Sequence, residues 1–163
     1  MVNTNNITRL LDSKKIRYSL FELPAEKLGA RETASLLGVD LELVYKTIVI
    51  TRQKGKPILA VIPGPNRVDL KRLANALGEK KVNLPSEREA ETLTGLQAGG
   101  ISPLALWNKG FRVVIDSAAQ SRAEIHVSGG QRGLNIRLPV KALAEITQAL
   151  FAEVSVPDNE DLG

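Results

Sequence analysis

Cysteine is absent from this 163-residue chain. That excludes a disulfide framework, a thiolate nucleophile and a cysteine-ligated metal. It accords with a reducing, cytoplasmic setting. Histidine occurs once, at His126. A multi-histidine metal site is therefore excluded, and a Ser-His-Asp triad would have to use that residue. No metal and no cofactor is expected. Aromatic residues make up only 4% of the chain, so the core must be built from Leu, Ile, Val and Ala. No apolar run approaches the roughly 20 residues that span a bilayer. The first residues, Met1–Asn6, lack the basic and apolar regions of a signal peptide, and no membrane association is expected. A P-loop fingerprint is missing as well.

What is present fits one globular domain. Hydrophobic residues reach 43% and charged residues 25%, ordinary values for a chain able to bury a core without staples. The 22 basic and 18 acidic residues give a net charge of +4. The stretch 157–163 holds Asp158, Glu160 and Asp161 and no base, which leaves +7 on residues 1–156. The domain is expected over 1–156, with 157–163 as a disordered acidic tail. A modest positive excess suits a polyanion such as RNA, and a solvated lysine-biased surface equally.

Periodicity predicts a first helix over Thr4–Asp12, from Ile7, Leu10 and Leu11. A short strand follows at Tyr18–Leu23, then a helix over Ala30–Leu37 closed by Gly38. Tyr45–Thr51 alternates as a strand, and the all-apolar Ile58–Ile62 reads as its partner across the Lys54-Gly55-Lys56 turn. Asp69 and Ser86 are placed to cap helices over Leu70–Leu77 and Glu87–Leu93, with Glu89 completing a capping box. Three more strands are expected at Phe111–Asp116, Glu124–Val127 and Leu134–Leu138. A last helix is expected to begin with Pro139 at N1 and run through Leu150. The mixture lacks a strict βαβ rhythm. It predicts a single-domain α+β (mixed α/β) fold, with a curved mixed sheet or incomplete barrel and helices packed outside.

Three stretches carry candidate chemistry. Lys46, before Thr47, shares a strand face with Ile48 and Ile50, opposite Tyr45, Thr47, Val49 and Thr51. Burying an unpaired ammonium is costly. Lys46 either snorkels to water or points into a cleft, where it could hold a phosphate or an oxyanion. Gly99-Gly100-Ile101-Ser102-Pro103 is either a tight connection or a loop whose amides approach a ligand. Ser128-Gly129-Gly130-Gln131-Arg132-Gly133 is either a floppy hairpin or a nest of N–H groups, with Arg132 as a cationic fork. Ser128 lacks an obvious activating base, so it reads as a hydrogen-bond donor rather than a nucleophile. His126 reads as a surface histidine on its strand.

Together these motifs resemble the YbaK/ProX-type aminoacyl-tRNA deacylases, free-standing relatives of the editing domain of bacterial prolyl-tRNA synthetases. The resemblance covers roughly Asn5 to Ala149. It implies a small α/β domain with a curved sheet and hydrolysis of the ester between an amino acid and the terminal adenosine of a mischarged tRNA. Lys46 matches the family lysine thought to grip the 3′-terminal phosphate, with Thr47 beside it. Gly99, Gly100, Ile101, Ser102 and Pro103 match the GxxxP loop along the ester. Ser128, Gly129 and Gly130 match the serine-glycine segment beside the substrate, with Arg132 following. Asn66 and Asp116 fall at family positions near the pocket, and Asn135 occupies a site that is often acidic. Cysteine-specific members carry a Tyr where this chain has Leu23, and a nearby aromatic position is Leu28. That departure bears on cysteine specificity.

The implied catalytic set is Lys46, Gly100 and Ser128, without a metal. Lys46 and Arg132 would hold the phosphate, and the loop amides would support the carbonyl oxygen. A water would attack, or for cysteine the substrate's own thiol. A second site of this kind is useful because one methylene changes selectivity by only about 1–3 kcal/mol. The expected partners are aminoacyl-tRNA, above all tRNA(Pro), and prolyl-tRNA synthetase, with the chain itself monomeric. Arg67, Lys71, Arg72, Lys80 and Lys81 are candidate tRNA contacts or simply a solvated face. Two other readings stay open: a tRNA- or synthetase-binding module without catalysis, and a nucleotide-binding regulatory domain.

Overall fold

The computed structural model describes residues 5–158. Helix α1 (Asn6–Ser13) starts at Asn5, whose side chain accepts from the Thr8 amide. Strand β1 (Ser19–Glu22) and helix α2 (Ala30–Leu37) follow. The chain then forms the hairpin of β2 (Tyr45–Arg52) and β3 (Ile58–Pro63), the short β4 (Asn66–Val68), α3 (Leu70–Leu77) and β5 (Val82–Asn83). The capping predictions at Asp69 and Ser86 are met: each side chain accepts the amide three residues on, and Ser86 opens α4 (Glu87–Thr94). Gly38 and Gly78 close α2 and α3 in the left-handed region, where a Cβ is disfavoured.

A short α5 (Pro103–Leu106) leads to β6 (Arg112–Asp116), β7 (Glu124–Ser128), β8 (Leu134–Pro139) and α6 (Val140–Thr147). Here the structure corrects the expectation. Pro139 is the N-cap, not N1, and α6 ends at Thr147. Gln148 turns left-handed at φ 54°, and the Ala149 amide reaches back to the Ala144 carbonyl. The chain then forms β9 (Leu150–Ala152) and β10 (Ser155–Pro157). Pro157 pairs with Asn66, and the Asp158 amide donates to the Pro65 carbonyl, so the fold continues past residue 156. Residues 159–163 of the expected tail lie outside the described residues.

The sheets are mixed and do not close into a barrel. A five-stranded sheet has the order β5-β2-β3-β6-β9, with β3, β6 and β9 parallel. An antiparallel three-stranded sheet has the order β1-β8-β7, and β10 pairs with β4. A lone bridge between Val44 and His126 joins the two larger sheets. Both faces of β2 and β3 are packed. Tyr45, Val49, Leu59 and Val61 face a core shared with α1, α6 and the three-stranded sheet. Ile50, Ile58, Ala60 and Ile62 pack with Leu73 and Ala74 of α3. Strand β3 therefore has no solvent face, which explains its uninterrupted apolar run.

Candidate active site

The two larger sheets part beyond the Val44–His126 bridge, and a cleft of about 410 Å³ lies between them. Strand β5 covers β2 only at Thr51 and Arg52, so the stretch from Tyr45 to Val49 lines the cleft along an edge that β5 leaves open. Lys46, Thr47, Ser128 and Asn135 all line it, with Leu23, Leu28, Leu84, Ala98, Ile101 and Leu134 supplying apolar wall. Gly99 also contributes. The resemblance and the geometry thus converge on eight positions: Lys46, Thr47, Ser128, Asn135, Leu23, Leu28, Gly99 and Ile101.

The polar groups differ in what they have left to offer. The Thr47 Oγ1 is buried and has no hydrogen-bond partner. An orphaned buried hydroxyl is costly, so its place at a cleft is informative. The Ser128 Oγ accepts from the Gly130 amide at 3.3 Å, which leaves its own proton available. Asn135, directly opposite Ser128 on β8, is 5% exposed and bonds through Oδ1 to His126 Nδ1 at 2.9 Å. His126 is not the surface residue that strand alternation suggested. It is 2% exposed and packs its ring 5.5 Å from that of Phe21. Burial pulls its pKa below the usual imidazole value, and the bond to Asn135 opposes that only in part.

The glycine loops bring distant backbone segments together. A Cβ on Gly100 would lie 2.8 Å from Gln131 Cα, and one on Gly99 would lie 3.2 Å from Lys27 Cα. A Cβ on Gly133 would meet the Leu23 carbonyl at 2.9 Å. Three distant segments, 23–28, 97–102 and 128–133, therefore meet backbone to backbone, and glycine is what permits it. Three of the loop amides are spent internally. Gly100 N–H donates to Gln97, Gly129 N–H to Leu134 and Gly130 N–H to Ser128. Gly100, Gly129 and Gly130 do not themselves line the cleft; they allow the close packing of the segments that carry its lining residues.

Arg132 also differs from expectation. Its Nε donates to the Ala98 carbonyl at 2.7 Å and its guanidinium lies 4.0 Å from Glu91, so it ties the two glycine loops together. Ser102 and Pro103 are buried as the N-cap and first residue of α5. Asn66 and Asp116 lie outside the cleft. Asp116 is 4% exposed and accepts from Ala118 N–H, Val154 N–H and the Ser155 hydroxyl, while Asn66 donates to the same serine. That network pins β9 and β10 to β6. Of the proposed tRNA contacts, Arg72 pairs with Glu153 at 2.7 Å and Arg67 lies 3.9 Å from Asp158; none of the five lines the cleft.

Sequence reasoning missed the rim. Lys27 Nζ reaches both oxygens of Glu87, at 3.0 and 3.1 Å, joining the 23–28 segment to the start of α4. Leu84 is 62% exposed beside Pro85 at the cleft. No local signal in the sequence marks either. Among the described residues, no group of three acidic or imidazole side chains could hold a metal, and no helix is long and apolar enough to cross a membrane.

Comparison with known proteins gives this arrangement its family. A protein from Enterococcus faecalis described as "Putative Cys-tRNA(Pro)/Cys-tRNA(Cys) deacylase EbsC" is 35% identical over 155 residues, 94% of each chain. The proline–tRNA ligase of Geobacter metallireducens is 25% identical over 129 residues, which is 79% of this chain and 22% of the ligase. The crystal structure of a hypothetical protein superposes with a TM-score of 0.85 at 26% identity, covering 93% of this chain and all of that one. A structure described as "a putative trans-editing enzyme for prolyl tRNA synthetase" shares the fold, with a TM-score of 0.76 at 24% identity over 95% and 99% of the two chains. Residues 25–146, which hold every cleft-lining position but Leu23, match the aminoacyl-tRNA editing domain, and the chain belongs to that family.

Proposed function

We propose that the protein hydrolyses the ester of a mischarged aminoacyl-tRNA, with tRNA(Pro) carrying cysteine or another small amino acid as the substrate. The observation that carries the reading is the cleft itself. The Lys46 ammonium and the neutral hydrogen-bonding side chains of Thr47, Ser128 and Asn135 line a space of about 410 Å³ together with a largely aliphatic wall, with Thr33, Tyr45, Glu26 and Glu87 also on its lining; the volume is within the size range of small-ligand sites. Lys46 supplies a cation for the terminal phosphate. The wall formed by Leu23, Leu28, Leu84, Ala98, Ile101 and Leu134 suits a small uncharged side chain.

In this scheme water adds to the ester carbonyl carbon, and the carbonyl π pair moves onto oxygen. Collapse breaks the bond to the ribose oxygen, which takes up the proton lost by the water. Free amino acid and uncharged tRNA leave. The side chains do positioning work: Lys46 fixes the phosphate, and the hydroxyls of Ser128 and Thr47 orient water or ester. Holding the reactants in place can lower such a barrier by several kcal/mol. With cysteine bound, the substrate thiol is an alternative attacking group.

The test is hydrolysis of tRNA(Pro) charged separately with cysteine, alanine and serine, with and without prolyl-tRNA synthetase. Release of one of the three amino acids is expected. Binding of all three charged tRNAs without release would favour a docking module instead.

A further inference from the structure

His126 is the only histidine in the chain and sits beneath the cleft rather than in it. It lies on β7 between Ile125 and Val127, both fully buried in the main core. Across the ladder its direct partner is Arg137, while Asn135 is paired with Ser128. The bond from the His126 ring to Asn135 Oδ1 is thus a diagonal one, on the face of the sheet that looks toward Phe21 and the cleft.

The chemistry of that bond dictates what Asn135 presents. With Asn135 turned so that Oδ1 meets the ring, the imidazole Nδ1 carries the proton, because an amide oxygen only accepts. Burial favours the neutral ring, which then has this single N–H. Asn135 makes no other side-chain hydrogen bond, and it lines the cleft. With Oδ1 held by the histidine, the free end of Asn135 is its NH₂ group. A flipped amide would offer the cleft an acceptor instead. The Nδ1–H tautomer of His126 and this turn of the Asn135 amide go together, and the pair fixes the sign of the dipole shown to a ligand.

We propose that Asn135 donates its side-chain N–H to the carbonyl oxygen of the bound aminoacyl ester, and that His126 is the positioning residue that keeps it turned that way. The proposal rests on the deacylase reading and deepens it. Ser128, opposite Asn135 across the ladder, brings a second proton to the same wall. Two neutral donors in a partly water-excluded site can follow the charge that builds on the carbonyl oxygen during attack. Glu124 and Arg137 flank the histidine with opposite charges, and neither bonds its ring.

The test uses the full-length protein in two arms. A ¹⁵N spectrum of the imidazole, unambiguous with one histidine, is expected to show the Nδ1–H tautomer at neutral pH. A dominant Nε2–H tautomer would overturn the orientation. In single-turnover deacylation, Asn135→Ala is expected to lower the rate constant about 100-fold with substrate binding within about 3-fold, the size of a lost oxyanion donor. His126→Phe, which keeps a ring, is expected to fall comparably, and the double variant no further. Effects that multiply in the double variant would mean that His126 acts only on the fold. Should His126→Phe melt too low to assay, His126→Gln can donate to Oδ1 from its own amide and is expected to recover activity above His126→Ala. No turnover by the native chain would remove the deacylase reading and the ester role with it, leaving the tautomer result standing. Native turnover that survives Asn135→Ala would overturn the assignment alone.

Discussion

Adding one methyl at Gly100 tests the packing of the glycine loops. A Cβ there would stand 2.8 Å from Gln131 Cα, 2.9 Å from Gln131 C and 3.0 Å from Arg132 N. All three are backbone atoms, so no side-chain rotation relieves the overlap. The loops must separate by about 0.6 Å to reach ordinary contact, and overpacking of this kind costs about 1–3 kcal/mol. The same movement strains the 2.7 Å bond from Arg132 Nε to Ala98, a charge-assisted contact worth about 1.5–3 kcal/mol. The combined loss is about 2–4 kcal/mol, which in a domain of this size lowers the melting temperature by about 5–15 °C. Because Gly99 and Ile101 form cleft wall, deacylation by Gly100→Ala is expected to drop at least about 10-fold at a temperature where the variant is folded. Gly78→Ala is the control: it is left-handed at φ 69° with nothing within 4 Å of the added Cβ. It should cost about 1–2 kcal/mol and leave turnover untouched. If Gly100→Ala melts and turns over like the control, the backbone contact between the loops does not have the role given to it.

Two further outcomes follow from the buried polar groups. Asp116→Ala leaves Val154 N–H and the Ser155 hydroxyl without their acceptor; it is expected to destabilise by about 3 kcal/mol in urea unfolding, with native kcat below its melting range because Asp116 is outside the cleft. His126 binds a proton less readily folded than unfolded. The unfolded state therefore takes up more protons as pH falls below about 6.5, and stability must decline there with a slope of at most about 1.4 kcal/mol per pH unit. Urea midpoints between pH 7.5 and 5.5 should show that slope in the native chain and a shallower one in His126→Phe.

Local signals were legible where the physics is local. The β2–β3 hairpin, the caps at Asp69 and Ser86 and the glycine stops at Gly38 and Gly78 depend on residues a few positions apart. The end of α6 was not legible, since Leu150–Ala152 continues an apolar run and becomes a strand only by pairing with β6. Three-residue strands such as β4 are too short to alternate. At the site, eight of the positions that the resemblance names line the cleft and the others do not. Glycine density announced close backbone approach at 99–100 and 129–133, yet only the fold reveals that the approaching backbone is Lys27, Gln131 and Leu23. Arg132, read as an anion fork, spends its Nε–H on the Ala98 carbonyl and lies beside Glu91, neither of which a sequence pattern shows. His126 looked exposed because alternation along β7 says nothing of Phe21 across the sheet.

Removal of the Lys46 ammonium is the most direct test of the whole account. Lys46→Ala and the native protein would be compared in single-turnover hydrolysis of cysteinyl-tRNA(Pro), alongside thermal melting. Lys46 is only half-buried at the opening of β2, so melting should change little. Hydrolysis is expected to fall by about 100-fold or more, as for loss of a charged anchor that positions the reacting ester. A native chain that hydrolyses its substrate and a Lys46→Ala chain that does so equally well would contradict the central claim, that this cleft works by gripping the terminal phosphate.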